Sequence, residues 1–284
     1  YYEFNRNREK QKEAKSWILS VDPKYFDKPI KVKKSEKEKE KKEQEEYQEE
    51  EINNYEDNKI VPNYEKFEFA ANGSGSGFII ERGKYVITNY HVIHNAKKIA
   101  VRNGHGQIRN AKVINFSKKY DLAILELDRN YHHKFSLKTK TFKHPRPGDD
   151  VVTIGFPALG ETFWQPTITQ GIVSKVFTED DAYPGTFMTT IAINSGNSGG
   201  PIFDLEGNLV GIAYAALNKL QWIKAGLAEE IPLPTDMGYA IQSRMINKIF
   251  EYKQSNRFNK KKYSKAELYE KMLPSVVVVA ISTK

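Results

Sequence analysis

Ser198 stands in Gly196-Asn197-Ser198-Gly199-Gly200-Pro201, preceded in the chain by Thr88-Asn89-Tyr90-His91-Val92-Ile93 and then by Asp121-Leu122-Ala123-Ile124-Leu125. These segments carry a hydroxyl, an imidazole and a carboxylate, the set that nucleophilic acyl transfer needs. A serine hydroxyl is a weak nucleophile at neutral pH, so an adjacent imidazole must take its proton, and a carboxylate must fix the tautomer of that imidazole and stabilise its cation. The glycines framing Ser198 suit the same chemistry. Gly196 can present its N–H with no Cβ in the way, Gly199 and Gly200 permit close approach of backbone, and Pro201 launches the next strand. The N–H groups of Gly196 and Ser198 would form an oxyanion hole, each donor lowering the barrier by roughly 3 kcal/mol. Alone, His91 or Asp121 would read as an ordinary structural residue. Their conjunction with the glycine-framed serine gives them a chemical role.

Chain order narrows the scaffold. His, Asp, Ser is the order on chymotrypsin-like double barrels, whereas α/β-hydrolases run Ser, Asp, His and subtilisins Asp, His, Ser. From residue 67 onward the pattern is short apolar runs separated by turn residues, which predicts an all-β fold. Strands are expected at 67–70, at 78–80 after a turn formed by Gly73-Ser74-Gly75-Ser76-Gly77, and at 85–88, 99–102, 111–115 and 121–127. A connection at 145–148 leads to strands at 150–155, 166–177, 185–191, 201–203, 209–214 and 238–242. Met245, Ile246, Ile249 and Phe250 recur at helical spacing and predict a closing helix over 243–252. The expected architecture is therefore a chymotrypsin-like double antiparallel β-barrel with a short closing helix, the barrels covering about 63–144 and 145–252. Residues 1–62 form a charged extension, in which 33–51 is almost wholly Lys, Glu and Gln and reads as a disordered linker or a solvated helix. Residues 253–284 form a tail.

Gly75-Ser76-Gly77-Phe78-Ile79-Ile80, the two blocks around His91 and Asp121, Gly171-Ile172-Val173-Ser174, the 192–201 block and Gly238-Tyr239-Ala240-Ile241 resemble the successive signature blocks of the trypsin-like HtrA/Deg serine proteases. The resemblance spans about 73–242. It implies a serine endopeptidase in which His91 is the general base, Asp121 its orienting acid and Ser198 the nucleophile, acting on extended or unfolded protein segments that pair with residues 211–215. It also implies a bacterial envelope or secreted location, which the sequence by itself leaves open. By analogy with the fold, Ala192 would form the base of the primary pocket, with Ala213, Tyr214, Ala215 and Tyr239 as walls. That lining holds no carboxylate and predicts small or medium apolar side chains before the scissile bond. The chain departs from the family where Thr190-Ile191-Ala192-Ile193-Asn194-Ser195-Gly196 lacks the acidic residue and the proline common beside the oxyanion loop. The stretch after the closing helix is short for a PDZ domain, so none is expected. Instead it carries Val276-Val277-Val278-Val279-Ala280-Ile281, similar to the strand that usually opens an HtrA protease domain. Such a run must be covered, either as the first-strand position of the first barrel, in its own chain or a neighbour's, or by docking elsewhere or opening a further domain.

Composition excludes several alternatives. With no cysteine the chain has neither disulfides nor a thiol nucleophile, and no apolar run reaches membrane-spanning length. The net charge of +8 has no nucleic-acid recognition motif beside it, so it reads as solvated surface. His94, His105, His132, His133 and His144 have no acidic or Cys partner at ligand spacing, so no metal and no cofactor is expected. Protein or peptide substrate is the expected partner, with homo-oligomerisation open. Two further readings use the same residues: a catalytically silent binding module of the same fold, and a protease restricted to itself or to one partner.

Overall fold

The computed structural model describes residues 66–137, 143–157, 165–181, 183–214, 237–251 and 258–284. Two closed antiparallel barrels make up the fold. The first contains β1 (Gly73–Ile80), β2 (Tyr85–Thr88), β3 (Lys98–Asn103), β4 (Ile108–Ser117), β5 (Leu122–Leu127) and β12 (Val276–Ser282), in the order β1-β12-β3-β4-β5-β2. The second contains β6 (Asp150–Gly155), β7 (Thr167–Val176), β8 (Thr186–Thr189), β9 (Pro201–Asp204), β10 (Leu209–Tyr214) and β11 (Gly238–Gln242), in the order β10-β11-β8-β7-β6-β9. Between β2 and β3 lies a one-turn helix, α1 (Tyr90–Ile93), and before β12 lies α2 (Lys265–Met272), closed at its N-terminus by a capping box between Ser264 and Glu267.

Strand periodicity explains why these segments read as continuous apolar runs. In β12, Val277, Val279 and Ile281 fill the first barrel with Ile79, Val86, Val101 and Leu125. Val276 and Val278, on the opposite face, join a cluster that draws Phe78 and Ile124 from the first barrel and Ile154, Phe203 and Ile241 from the second. Both faces of each such strand are buried, so no polar alternation survives. The second barrel has its own interior of Val151, Val173, Phe187, Ile202 and Val210.

Three local expectations change. Residues 67–70 form no strand, since β12 occupies the place beside β1, pairing Gly73 with Ile281 through Phe78 with Val276. On its other side β12 pairs with β3, from Val277 with Asn103 to Ser282 with Lys98. The glycines at 73, 75 and 77 lie inside β1 and not in a turn. Close packing is the reason: a Cβ at Gly75 would sit 2.6 Å from the Val92 side chain, and one at Gly77 2.7 Å from the Ile87 carbonyl. Finally, the closing helix is a short 3-10 helix, Ser243–Lys248, whose Met245 and Ile246 are buried together with Ile249 and Phe250 after it.

Candidate active site

The end of β2 and the start of β5 bring the imidazole and the carboxylate together. Thr88 is the last residue of β2, and α1 follows at once, placing His91 in its single turn. Asp121 immediately precedes β5 and adopts φ 48°, a left-handed conformation that Asp tolerates better than most residues. Its Oδ1 accepts a hydrogen bond from the His91 backbone N–H at 2.8 Å, and its Oδ2 lies 2.6 Å from His91 Nδ1. A carboxylate oxygen accepts, so Nδ1 is the donor in this contact. The Asp121 carbonyl is held as well, accepting from Asn89 Nδ2 at 2.8 Å and from the Tyr90 N–H at 3.2 Å. Asp121 is buried, while the His91 side chain keeps about a quarter of its surface open. Tyr90 stacks on Phe116, and its hydroxyl lies 2.9 Å from His94 Nδ1; burial, with the Asp121 charge second, pushes its pKa up to about 12. Tyr90 therefore stays neutral beside the pair.

Ser198 sits on the loop between β8 and β9, in the second barrel. Gly199 N–H donates to the Ala213 carbonyl at 2.9 Å and Ala213 N–H donates to the Gly200 carbonyl at 2.8 Å, so the loop is laced to β10. Gly199 has φ +87°, and a Cβ there would lie 2.3 Å from the Ser76 carbonyl and 2.4 Å from Thr88 Oγ1. Only glycine fits that position. The loop is also tied to the first barrel, because the Ser76 N–H donates to the Ser198 carbonyl at 2.8 Å. Gly196 has φ +93°, and Asn197 N–H closes a turn onto the Asn194 carbonyl at 3.0 Å. The Tyr214 ring stands edge-on to His91, with centroids 5.9 Å apart and planes at 84°, at one wall of a cavity of about 370 Å³ beside Asp121.

Of the residues assigned to the primary pocket, Ala213 faces a different side of its strand from Tyr214 and Tyr239. Ala213 is fully buried in the interior of the second barrel, whereas Tyr214 and Tyr239 face each other across β10 and β11 and pack with Phe177 and Tyr183. Successive strand residues point to opposite faces, which separates Ala213 from Tyr214. Ala192 is exposed, and Ala215 lies outside the described residues. The expected docking strand also shortens. Gly211 and Ile212 pair with β9 on one side and β11 on the other, and both backbone groups of Ala213 are taken by Gly199 and Gly200, so β10 is paired on both edges through Ala213. Ser76, Thr88 and Asn89 were not singled out from the sequence as site residues. Their signal was present, since each stands in a block already quoted, one or a few positions from a glycine or from His91.

A glycine-framed serine loop and a hydrogen-bonded imidazole and carboxylate on a pair of closed six-stranded barrels are the arrangement expected of a trypsin-like peptidase. Residues 75–212 match the trypsin-like peptidase domain family. The chain is similar to a probable serine protease do-like of Buchnera aphidicola subsp. Acyrthosiphon pisum, 38% identical over 148 residues, covering 50% of this chain and 30% of that protein. Likewise it is 38% identical over 148 residues to the periplasmic serine endoprotease DegP of Salmonella typhimurium, again over 50% and 30% of the two chains. A probable periplasmic serine protease do/HhoA-like of Haemophilus influenzae is 35% identical over 191 residues, covering 65% of this chain and 38% of that one. Among solved structures the serine endoprotease from Yersinia pestis aligns with a TM-score of 0.49 and 30% identity, over 65% of this chain and 58% of that one. Over its peptidase region the chain is thus similar to HtrA/Deg serine proteases. It spans about a third of the length of the curated relatives it matches.

Proposed function

We propose that the chain cleaves peptide bonds in extended or unfolded protein segments through an acyl-enzyme on Ser198. The observation that carries this reading is the two-point hold of Asp121 on His91, at 2.8 Å on the backbone N–H and 2.6 Å on Nδ1. With Nδ1 protonated, Nε2 takes the Ser198 proton as Oγ attacks the scissile carbonyl, and Asp121 stabilises the imidazolium that results. The carbonyl oxygen, now an anion, is received by the N–H groups of Gly196 and Ser198. His91 then passes its proton to the leaving amine, and water repeats the sequence to release the acyl group. Backbone pairing with β10 beyond Ala213 would present the substrate, leaving selectivity to side-chain pockets.

The catalytic unit in this reading runs from Gly73 to Ser282, because β12 completes the barrel that carries His91 and Asp121. The names of the Salmonella and Haemophilus relatives support a bacterial envelope location. Among the described residues no helix is long and apolar enough to cross a membrane. The experiment is hydrolysis of casein together with labelling by a fluorophosphonate probe. Wild type is expected to turn over casein and to label at Ser198, and the Ser198→Ala protein to do neither. Undiminished casein turnover by Ser198→Ala would remove the assignment, and a folded wild type that neither labels nor cleaves would favour the silent binding module.

A further inference from the structure

Ser76 lies in the middle of β1 with none of its surface exposed, and its hydroxyl both donates and accepts. Oγ donates to the Gly196 carbonyl at 2.7 Å and accepts from the Phe156 N–H at 2.8 Å. Its backbone N–H donates to the Ser198 carbonyl at 2.8 Å, and its own carbonyl accepts from Thr88 Oγ1 at 2.7 Å. One residue of the first barrel therefore touches the nucleophile loop at two points and the end of β6 at a third. From outside, β12 fixes its place in the sheet by pairing Val278 with Ser76.

The peptide unit between Gly196 and Asn197 is pinned at both ends. Its oxygen is held by Ser76 Oγ, and its N–H is held by the Asn194 carbonyl at 3.0 Å. Gly196 needs that hold. At φ +93° it has no Cβ to restrict it, and glycine moves between positive and negative φ at little penalty. The adjoining peptide carries the Gly196 N–H, the donor on which the oxyanion depends. A rotation of the pinned unit would be relayed through the two Gly196 torsions and would turn this donor away.

We propose that Ser76 is a positioning residue for the oxyanion hole: its hydroxyl fixes the Gly196–Asn197 peptide and so keeps the Gly196 N–H aimed at the developing anion. This rests on the protease reading of the site. The Phe156 bond makes the arm rigid, since a hydroxyl that both accepts and donates has its rotor set and cannot swing off the Gly196 carbonyl. A purely packing role for Ser76 would support ground state and transition state alike. A positioning role acts on the transition state only, and kinetics separates the two.

The test compares full-length wild type and Ser76→Ala, per folded molecule as measured by circular dichroism, on a peptide substrate. Deleting an oxyanion donor lowers kcat about 100- to 1,000-fold, and misaiming one that is still present is expected to lower it about ten- to a hundredfold. KM should hold, and the midpoint of the acidic limb of the pH profile should hold as well, because neither atom of the His91 to Asp121 contact is touched. Affinity for a peptide aldehyde, which forms a tetrahedral adduct, should fall by the same factor as kcat. Affinity for the matching product acid should not. Should Ser76→Ala fail to fold, Ser76→Cys keeps the volume with a weak donor, and the same comparison applies. Equal kcat in the folded variant, or a loss shared equally by aldehyde and product acid, would overturn the positioning role and leave the protease reading standing. A folded wild type without turnover would overturn both.

Discussion

Asp121 holds His91 at two atoms, accepting from the backbone N–H through Oδ1 and facing Nδ1 through Oδ2, while its own backbone sits at φ 48°. The left-handed φ turns the carboxylate back toward α1, so the chain enters β5 only after the acid has been delivered. Asn accepts that φ as readily as Asp does. Asp121→Asn should therefore fold, with its melting temperature nearly unchanged. An amide in place of Oδ2 presents either a donor or a weaker acceptor to Nδ1 and favours the tautomer with the proton on Nε2, where it blocks proton removal from Ser198. The expected loss in kcat is about 10⁴-fold near neutral pH, by analogy with the same change in the chymotrypsin-fold triad. A variant with more than a tenth of wild-type kcat would show that Asp121 does not orient the base.

Gly199 and Gly148 offer a matched pair. Both have positive φ, +87° and +89°, but a Cβ at Gly199 would strike the Ser76 carbonyl and Thr88 Oγ1, whereas one at Gly148 would meet nothing within 4 Å. Gly148→Ala should lose only the left-handed penalty, about 1–2 kcal/mol. Gly199→Ala adds a clash with backbone that cannot yield without parting the barrels, and is expected to lose roughly 4 kcal/mol or more together with all activity. Urea midpoints at a constant slope measure both. Similar losses in the two variants would contradict the close approach of β1 to the nucleophile loop.

Much of the proposed site is legible in the residues themselves, for a physical reason. Acyl transfer needs a nucleophile, base, acid and backbone donors at fixed types, and glycine is required where Cβ atoms would collide, so Ser198, His91, Asp121 and Gly196 stand out in a single sequence. Strands were legible too, since their apolar runs are bounded by turn residues. What escaped depends on partners far apart in the chain. Nothing local marks Ser76 as facing Gly196, and the glycines of 73–77 look like a turn until Val92 and Ile87 are seen packed over them. The placement of Ala213 and Tyr214 on opposite faces follows from strand alternation, yet counting positions toward a pocket hid it.

Acid should weaken the fold through histidines whose partial desolvation lowers their pKa. Burial lowers the pKa of His94, with the Lys118 charge second, and burial alone lowers that of His105. In His132 burial is again the first cause, followed by His133 and Lys134. A folded-state pKa below the unfolded value means that the unfolded chain binds protons first. These groups therefore leave stability unaffected above about pH 6.5 and withdraw it as the pH falls below that value, until the folded-state pKa values are passed. Melting temperature should drop across that window, and His105→Gln should flatten part of the slope. A flat profile between pH 7 and 5 in the wild type would rule out this contribution.

Removal of β12 is the strongest test of how the fold supports the site. The strand lies between β1 and β3, hydrogen-bonded on both sides, and among the described residues no other strand pairs with those edges. Val276, Val277, Val278, Val279 and Ile281 are all buried, and their side chains together contribute about 7–15 kcal/mol at the usual value per aliphatic side chain, comparable with the whole stability of a domain. Deleting residues 275–284 should open the first barrel, expose the β1 and β3 edges and raise aggregation. Activity should vanish even in any soluble fraction, because Ser76 and the paired stretch of β1 lose their outer partner. A synthetic peptide of residues 264–284 supplies α2 with its cap and β12 in one piece. Added in excess to the truncated chain, it should restore part of the fluorophosphonate labelling, while a peptide with Val277 and Val279 both changed to Asp should not, since those side chains point into the barrel. Full turnover and an unchanged melting temperature in the truncated chain would show that the barrel stands without this strand.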